Sequence, residues 1–76
     1  MEIAKELDCK GLPCPMPIVK MKKAIKTMDT DQVLKVTADD PGFLNDVKAW
    51  SEMTENPLLD LSEDAGVFVA LVQKKA

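Results

Sequence analysis

Seventy-six residues with ten basic side chains, thirteen acids and no histidine give a formal charge of −3. That length sets a single small domain over residues 1–76, and an apolar share of 46% is too high for a disordered chain. The acidic balance argues against a general nucleic-acid binder, and no stretch reaches the roughly 18 apolar residues that a membrane span needs.

Residues 1–15 lack the long apolar run of a secretory signal. The expectation is therefore a soluble, cytoplasmic protein in which Cys9 and Cys14 stay reduced. The charge is unevenly spread. Lys20, Lys22, Lys23 and Lys26 fall within seven residues that hold no acid, and everything outside that run carries a net −7. This predicts an acidic body with one basic helix face.

In chain order, residues 2–8 predict a short first strand, broken by Gly11 and Pro13. Ile18, Met21, Ala24, Ile25 and Met28 then form one helical stripe with lysines opposite, ending near Met28. Pro15 and Pro17 suit a first turn, where backbone N–H groups lack intrahelical acceptors. Residues 32–38 alternate at period two, with Leu34, Val36 and Ala38 on the buried side. Asp40 as N-cap and Pro41 at the first helical position predict a second helix. Its stripe is Phe43, Leu44, Val47, Trp50 and Thr54, and Asn56-Pro57 stops it.

Residues 58–61 and 67–72 predict two further strands around a turn at residues 63–66. The last run is apolar throughout, which suits an interior strand covered on at least part of both faces. The fold class is α/β: a two-layer sandwich in the order β-α-β-α-β-β. A four-stranded mixed sheet carries two helices on one face, because right-handed crossovers place them there.

Chemistry concentrates at Gly11-Leu12-Pro13-Cys14-Pro15-Met16-Pro17. The chain has no His, Tyr or Arg, so sulfur is its main reactive element. A residue before proline avoids the α region, so Cys14 is predicted to be extended and to serve as N-cap, with its sulfur at the open helix end. The N–H groups of Met16 and Ile18 remain as donors there. Met16 also precedes a proline, so a helix beginning at Pro17 is the alternative register. A helix N-terminus favours the thiolate. Without a histidine base, a reaction that expels a poor leaving group lacks its activator, whereas accepting and passing on a sulfur atom needs only an exposed nucleophile.

Leu7, Asp8 and Gly11, followed by Cys14-Pro15-Met16-Pro17, resemble the opening of the TusA/SirA-like sulfur-carrier family, whose hallmark is Cys-Pro-x-Pro at the start of the first helix. Length, element order and Asp39-Asp40-Pro41 before the second helix extend the resemblance over the whole chain. It implies a persulfide on Cys14, taken from a cysteine desulfurase or rhodanese-like donor. The sulfur would pass to acceptors in tRNA thiolation, molybdenum-cofactor maturation or sulfur oxidation. Gly11, Pro13, Pro15 and Pro17 would support the loop. No cofactor, metal, membrane or direct nucleic-acid partner is expected, and whether the chain acts as an enzyme stays open.

Cys9 departs from the family pattern, which needs one cysteine. It either resolves a persulfide into a disulfide or packs at the end of the first strand. The resolving role would make the chain a thiol-disulfide redox protein using Cys9 and Cys14. Two thiols without histidine cannot close a four-ligand zinc site in one chain, and a soft Cu(I) site would have to recruit Met16. A protein- or RNA-interaction module is the remaining alternative. On the helical wheel Met16, Val19, Lys20 and Lys23 share an outward face, read either as a docking surface for the donor or acceptor or as a solvated face.

Overall fold

Leu34, Val36 and Ala38 alternate with Lys35 and Thr37, and that period of two builds the strand at the centre of the fold. The computed structural model describes every residue except Met1, Cys14 and Ala76. The elements are β1 (Ile3–Cys9), α1 (Met16–Lys26), β2 (Val33–Ala38), α2 (Phe43–Thr54), β3 (Leu58–Asp64) and β4 (Val67–Gln73). They form one mixed sheet in the order β1-β2-β4-β3. β1 pairs parallel with β2, and β4 pairs antiparallel with both β2 and β3. The predicted fold class is the observed one.

The core lies between the sheet and the helices. Met21, Ala24 and Ile25 of α1 and Phe43, Val47 and Trp50 of α2 meet Leu34, Val36, Phe68, Ala70 and Val72. The predicted helical stripes are thus the buried faces. β4 is interior as expected, but its two faces differ. Phe68, Ala70 and Val72 are buried, while Val67, Val69 and Leu71 are half-buried on the side without helices.

Several boundaries differ from expectation, each for a local reason. α1 ends at Lys26 because Thr27 and Met28 donate backwards to Ala24 and Ile25 in tighter three-residue turns; Met28 stays buried beyond the helix. The N-cap of α2 is Gly42 and not Asp40. Asp40 instead accepts the Gly42 N–H on its side chain at 3.0 Å and the Phe43 N–H on its carbonyl at 3.0 Å, folding residues 40–43 into a turn ahead of the helix. At the other end, Glu55 terminates α2 in the left-handed region, φ 62. β3 runs on through Asp64, so the hairpin turn is only Ala65-Gly66. Positive φ at both residues, 51 and 81, gives the twist that two-residue hairpins favour.

Candidate functional site around the β1–α1 loop

The loop from β1 to α1 leaves the carboxyl end of the parallel pair, where Cys9 stands beside Ala38. Open α/β sheets place their ligand sites at this end. Three bonds shape the loop. Leu12 donates to the Cys9 carbonyl at 3.2 Å, closing a turn whose third residue, Gly11, has φ +82, the sign a type II turn demands there. Lys10 N–H donates to Asp8 Oδ1 at 3.1 Å. Gly11 N–H donates to Asp39 Oδ1 at 2.9 Å, tying the loop to the end of β2. Asp39 thus positions the loop, whereas in the sequence it reads only as part of the approach to α2; the signal for its role is its place directly after a strand.

Cys14 and its expected extended N-cap conformation lie outside the described residues. Its neighbours are described. Pro13 and Pro15 are exposed, and Pro17 is buried, anchoring the first turn. The N-cap of α1 is Pro15, one residue later than expected, and the helix begins at Met16 rather than Pro17. The Met16 N–H, expected as a donor to sulfur, is already given to the Pro13 carbonyl at 2.9 Å. The first i→i−4 bond follows, from Val19 to the Pro15 carbonyl at 3.1 Å. No acidic side chain lies in the first turn, leaving its positive end unopposed.

Cys9 is a free thiol with no exposed surface, part of the core cluster. Burial pushes its pKa up. Lys20 acts in the opposite direction to a lesser degree, and Asp8 adds a small upward push. Met16, Val19, Lys20 and Lys23 are all exposed on α1, as the wheel predicted, with Met16 42% and Val19 36% accessible. Among the described residues no group of three or more Cys, Asp or Glu side chains could hold a metal. No helix of the described residues is long and apolar enough to cross a membrane.

One feature of the site was missed by sequence reasoning: a groove between α1 and α2. It begins at Pro15 with a cavity of about 380 Å³ lined by Ile18 and Lys22 of α1 and Asp46, Ala49, Trp50, Met53 and Thr54 of α2. A second cavity of about 260 Å³ shares Lys22, Trp50 and Thr54 and continues it to Ile25 and Lys26. The signal available was Trp50, too large for a thin two-layer core to enclose completely.

Comparison with known proteins agrees with this architecture. The family model described as "Sulfurtransferase TusA" matches residues 5–74. The "Sulfur carrier protein TusA" of Allochromatium vinosum is 43% identical over 70 residues, covering 92% of this chain and 92% of the relative. The protein of the same name in Pseudomonas putida is 34% identical over 70 residues, covering 92% and 88%. The crystal structure of a SirA-like protein from Desulfitobacterium hafniense superposes with a TM-score of 0.82 at 20% identity, covering 95% of this chain and 99% of that one, a likeness of fold. With the family model spanning nearly the full length and relatives above 30% identity over most of both chains, this chain belongs to the TusA sulfurtransferase family.

Proposed function

We propose that this chain is a sulfur carrier that holds sulfane sulfur as a persulfide on Cys14. The observation that carries the reading is the position of a cysteine between two exposed prolines at the start of a helix whose first turn holds no acid. The names of its relatives support it. In the loading step the Cys14 thiolate attacks the outer sulfur of a donor persulfide, R–S–SH. The donor S–S bond breaks, R–S⁻ leaves, and Cys14–S–SH forms. One S–S bond replaces another, so no external oxidant or reductant enters. Attack of an acceptor nucleophile on the same outer sulfur regenerates the Cys14 thiolate.

The donor is a cysteine desulfurase or a rhodanese-like protein, and the acceptor is a protein of tRNA thiolation, molybdenum-cofactor maturation or sulfur oxidation. Gly11, Pro13, Pro15 and Pro17 hold the loop. Cys9, buried in the core, serves as packing. Met16 and Val19 offer apolar contact to the partner, and Lys20 and Lys23 steer its acidic rim.

Intact-mass measurement after incubation with a desulfurase and L-cysteine tests the reading. The wild type gains about 32 Da per sulfur at its reactive thiolate. Cys14→Ser abolishes the adduct and Cys9→Ala retains it. Dependence on both cysteines, with an intramolecular disulfide as product, would replace the carrier by a redox protein.

A further inference from the structure

The outward face of α1 supplies little anchoring surface. Its two apolar residues, Met16 and Val19, stand among exposed lysines, and binding energy usually comes from side chains seated in water-excluding pockets. The groove between α1 and α2 is an open apolar recess that a partner could fill, and it starts at Pro15, the residue after Cys14. We infer that the groove receives an apolar, carboxylate-flanked amphipathic helix of the protein that exchanges sulfur with this chain. The inference draws its purpose from the sulfur-carrier reading and its geometry from the groove alone.

The shape favours a helix. Ile18, Lys22, Ile25 and Lys26 line the groove in succession along α1 while Ala49, Trp50, Met53 and Thr54 do so along α2, so the two helices run the same way with a trough between them. From Ile18 to Lys26 the trough is about 12 Å long at 1.5 Å per residue, room for roughly two turns of a third helix. The chemistry favours a protein over a small molecule. Small-ligand pockets fix their occupants with a few well-placed polar groups. Here the Thr54 hydroxyl is committed to the Trp50 carbonyl at 2.7 Å, and the Trp50 indole N–H is buried without an acceptor. What remains is an apolar floor, an adaptable and 84% exposed Met53, and charged rims, with Lys22 and Lys26 on the α1 side and Asp46 on the α2 side.

Charge selects the kind of helix. Lys22 and Lys26 line the α1 side, and Lys20 and Lys23 extend the positive field of a run that holds no acid. The lysines outnumber Asp46 on the opposite rim, so a helix whose carboxylates lie on the flank facing α1 is attracted and one with lysines there is repelled.

The test uses the full chain with 5-fluorotryptophan at Trp50, its only tryptophan. The probe is a synthetic three-turn amphipathic peptide with leucines at i, i+3, i+4 and i+7 and glutamates on the flank that would face Lys22 and Lys26. A twin peptide with lysines in place of the glutamates is the control. The acidic peptide should shift the Trp50 fluorine resonance and bind at least about tenfold tighter than its lysine twin. Ala49→Phe, which fills the groove from an exposed position, should weaken binding about tenfold with an unchanged thermal midpoint. Met53→Glu should weaken the acidic peptide and not the lysine twin. An unmoved Trp50 resonance, equal affinity for the two peptides, or wild-type binding by both variants overturns the inference. Loading of Cys14 by inorganic polysulfide is read separately by mass. Loading without peptide binding removes the groove and keeps the carrier, while peptide binding without loading does the reverse.

Discussion

At Cys9 burial decides the chemistry. The thiol has no exposed surface, and loss of solvation raises its pKa, outweighing the opposing pull of Lys20. It therefore stays protonated and unreactive under conditions in which an exposed thiolate attacks. The raised pKa also makes a stability prediction. Below the ordinary thiol value both folded and unfolded chains keep the proton, and stability is unaffected. As pH rises past that value the unfolded chain ionises first, so folding weakens as pH climbs towards the folded-state pKa. Wild type should therefore lose more stability than Cys9→Ala between about pH 7 and about pH 10 by chemical denaturation. Equal losses in the two proteins would show that Cys9 does not ionise from a buried state.

The lysine run of α1 acts at the scale of the element. Lys23 and Lys26 in the last turn complement the negative helix end, which accounts for two of the four. Lys20 lies further up, towards Cys9, and shares the exposed face with Lys23, Met16 and Val19. If this face steers an acidic partner, Lys20→Glu with Lys23→Glu slows sulfur transfer from a protein donor most at low ionic strength, and the deficit shrinks as salt is added. The fold should be intact, since changes at exposed positions usually cost within about 0.5 kcal/mol. Stopped transfer assays at two salt concentrations decide it. Wild-type rates at low salt would reduce Lys20 and Lys23 to a solvated face.

For the molecule as a whole, the end remote from Cys9 is closed by the last residues of the chain. Asp31 N–H donates to the Lys74 carbonyl at 2.7 Å and Lys74 N–H to the Gln32 carbonyl at 2.9 Å. The Lys74 ammonium reaches the Ile25 carbonyl at 2.8 Å, and Lys75 pairs with Asp31. The buried Asn56 joins this closure to the end of α2, accepting the Lys75 N–H on Oδ1 at 2.8 Å and the Ser51 hydroxyl on its carbonyl at 2.7 Å. Removing its side-chain amide takes the acceptor from the Lys75 N–H and leaves the Ser51 bond in place, so Asn56→Ala should cost about 0.5–1.5 kcal/mol of stability, the net worth of one hydrogen bond. Urea denaturation measures this. Sulfur loading at Cys14 should persist, because the closure and the β1–α1 loop lie at opposite ends of the sheet. A neutral substitution would mean that the tail closure contributes nothing.

The sequence by itself determined the elements, the buried helical stripes and the α/β class, because periodicities of 3.6 and 2 are local properties that every window of the chain carries. It also marked the loop around Gly11 and the prolines, since turn chemistry and missing N–H groups belong to single residues. Helix starts were less legible. At both Pro15 and Gly42 the cap moved downstream because turn bonds formed ahead of the helix and took N–H groups that a helix start would leave free. The strand order β1-β2-β4-β3, the burial of Cys9, the bond from Gly11 to Asp39 and the groove over Trp50 were decided only by the tertiary structure. Each joins residues far apart in the chain. Their contacts depend on which strands become neighbours and how closely two helices approach across a common sheet, quantities that no local pattern encodes.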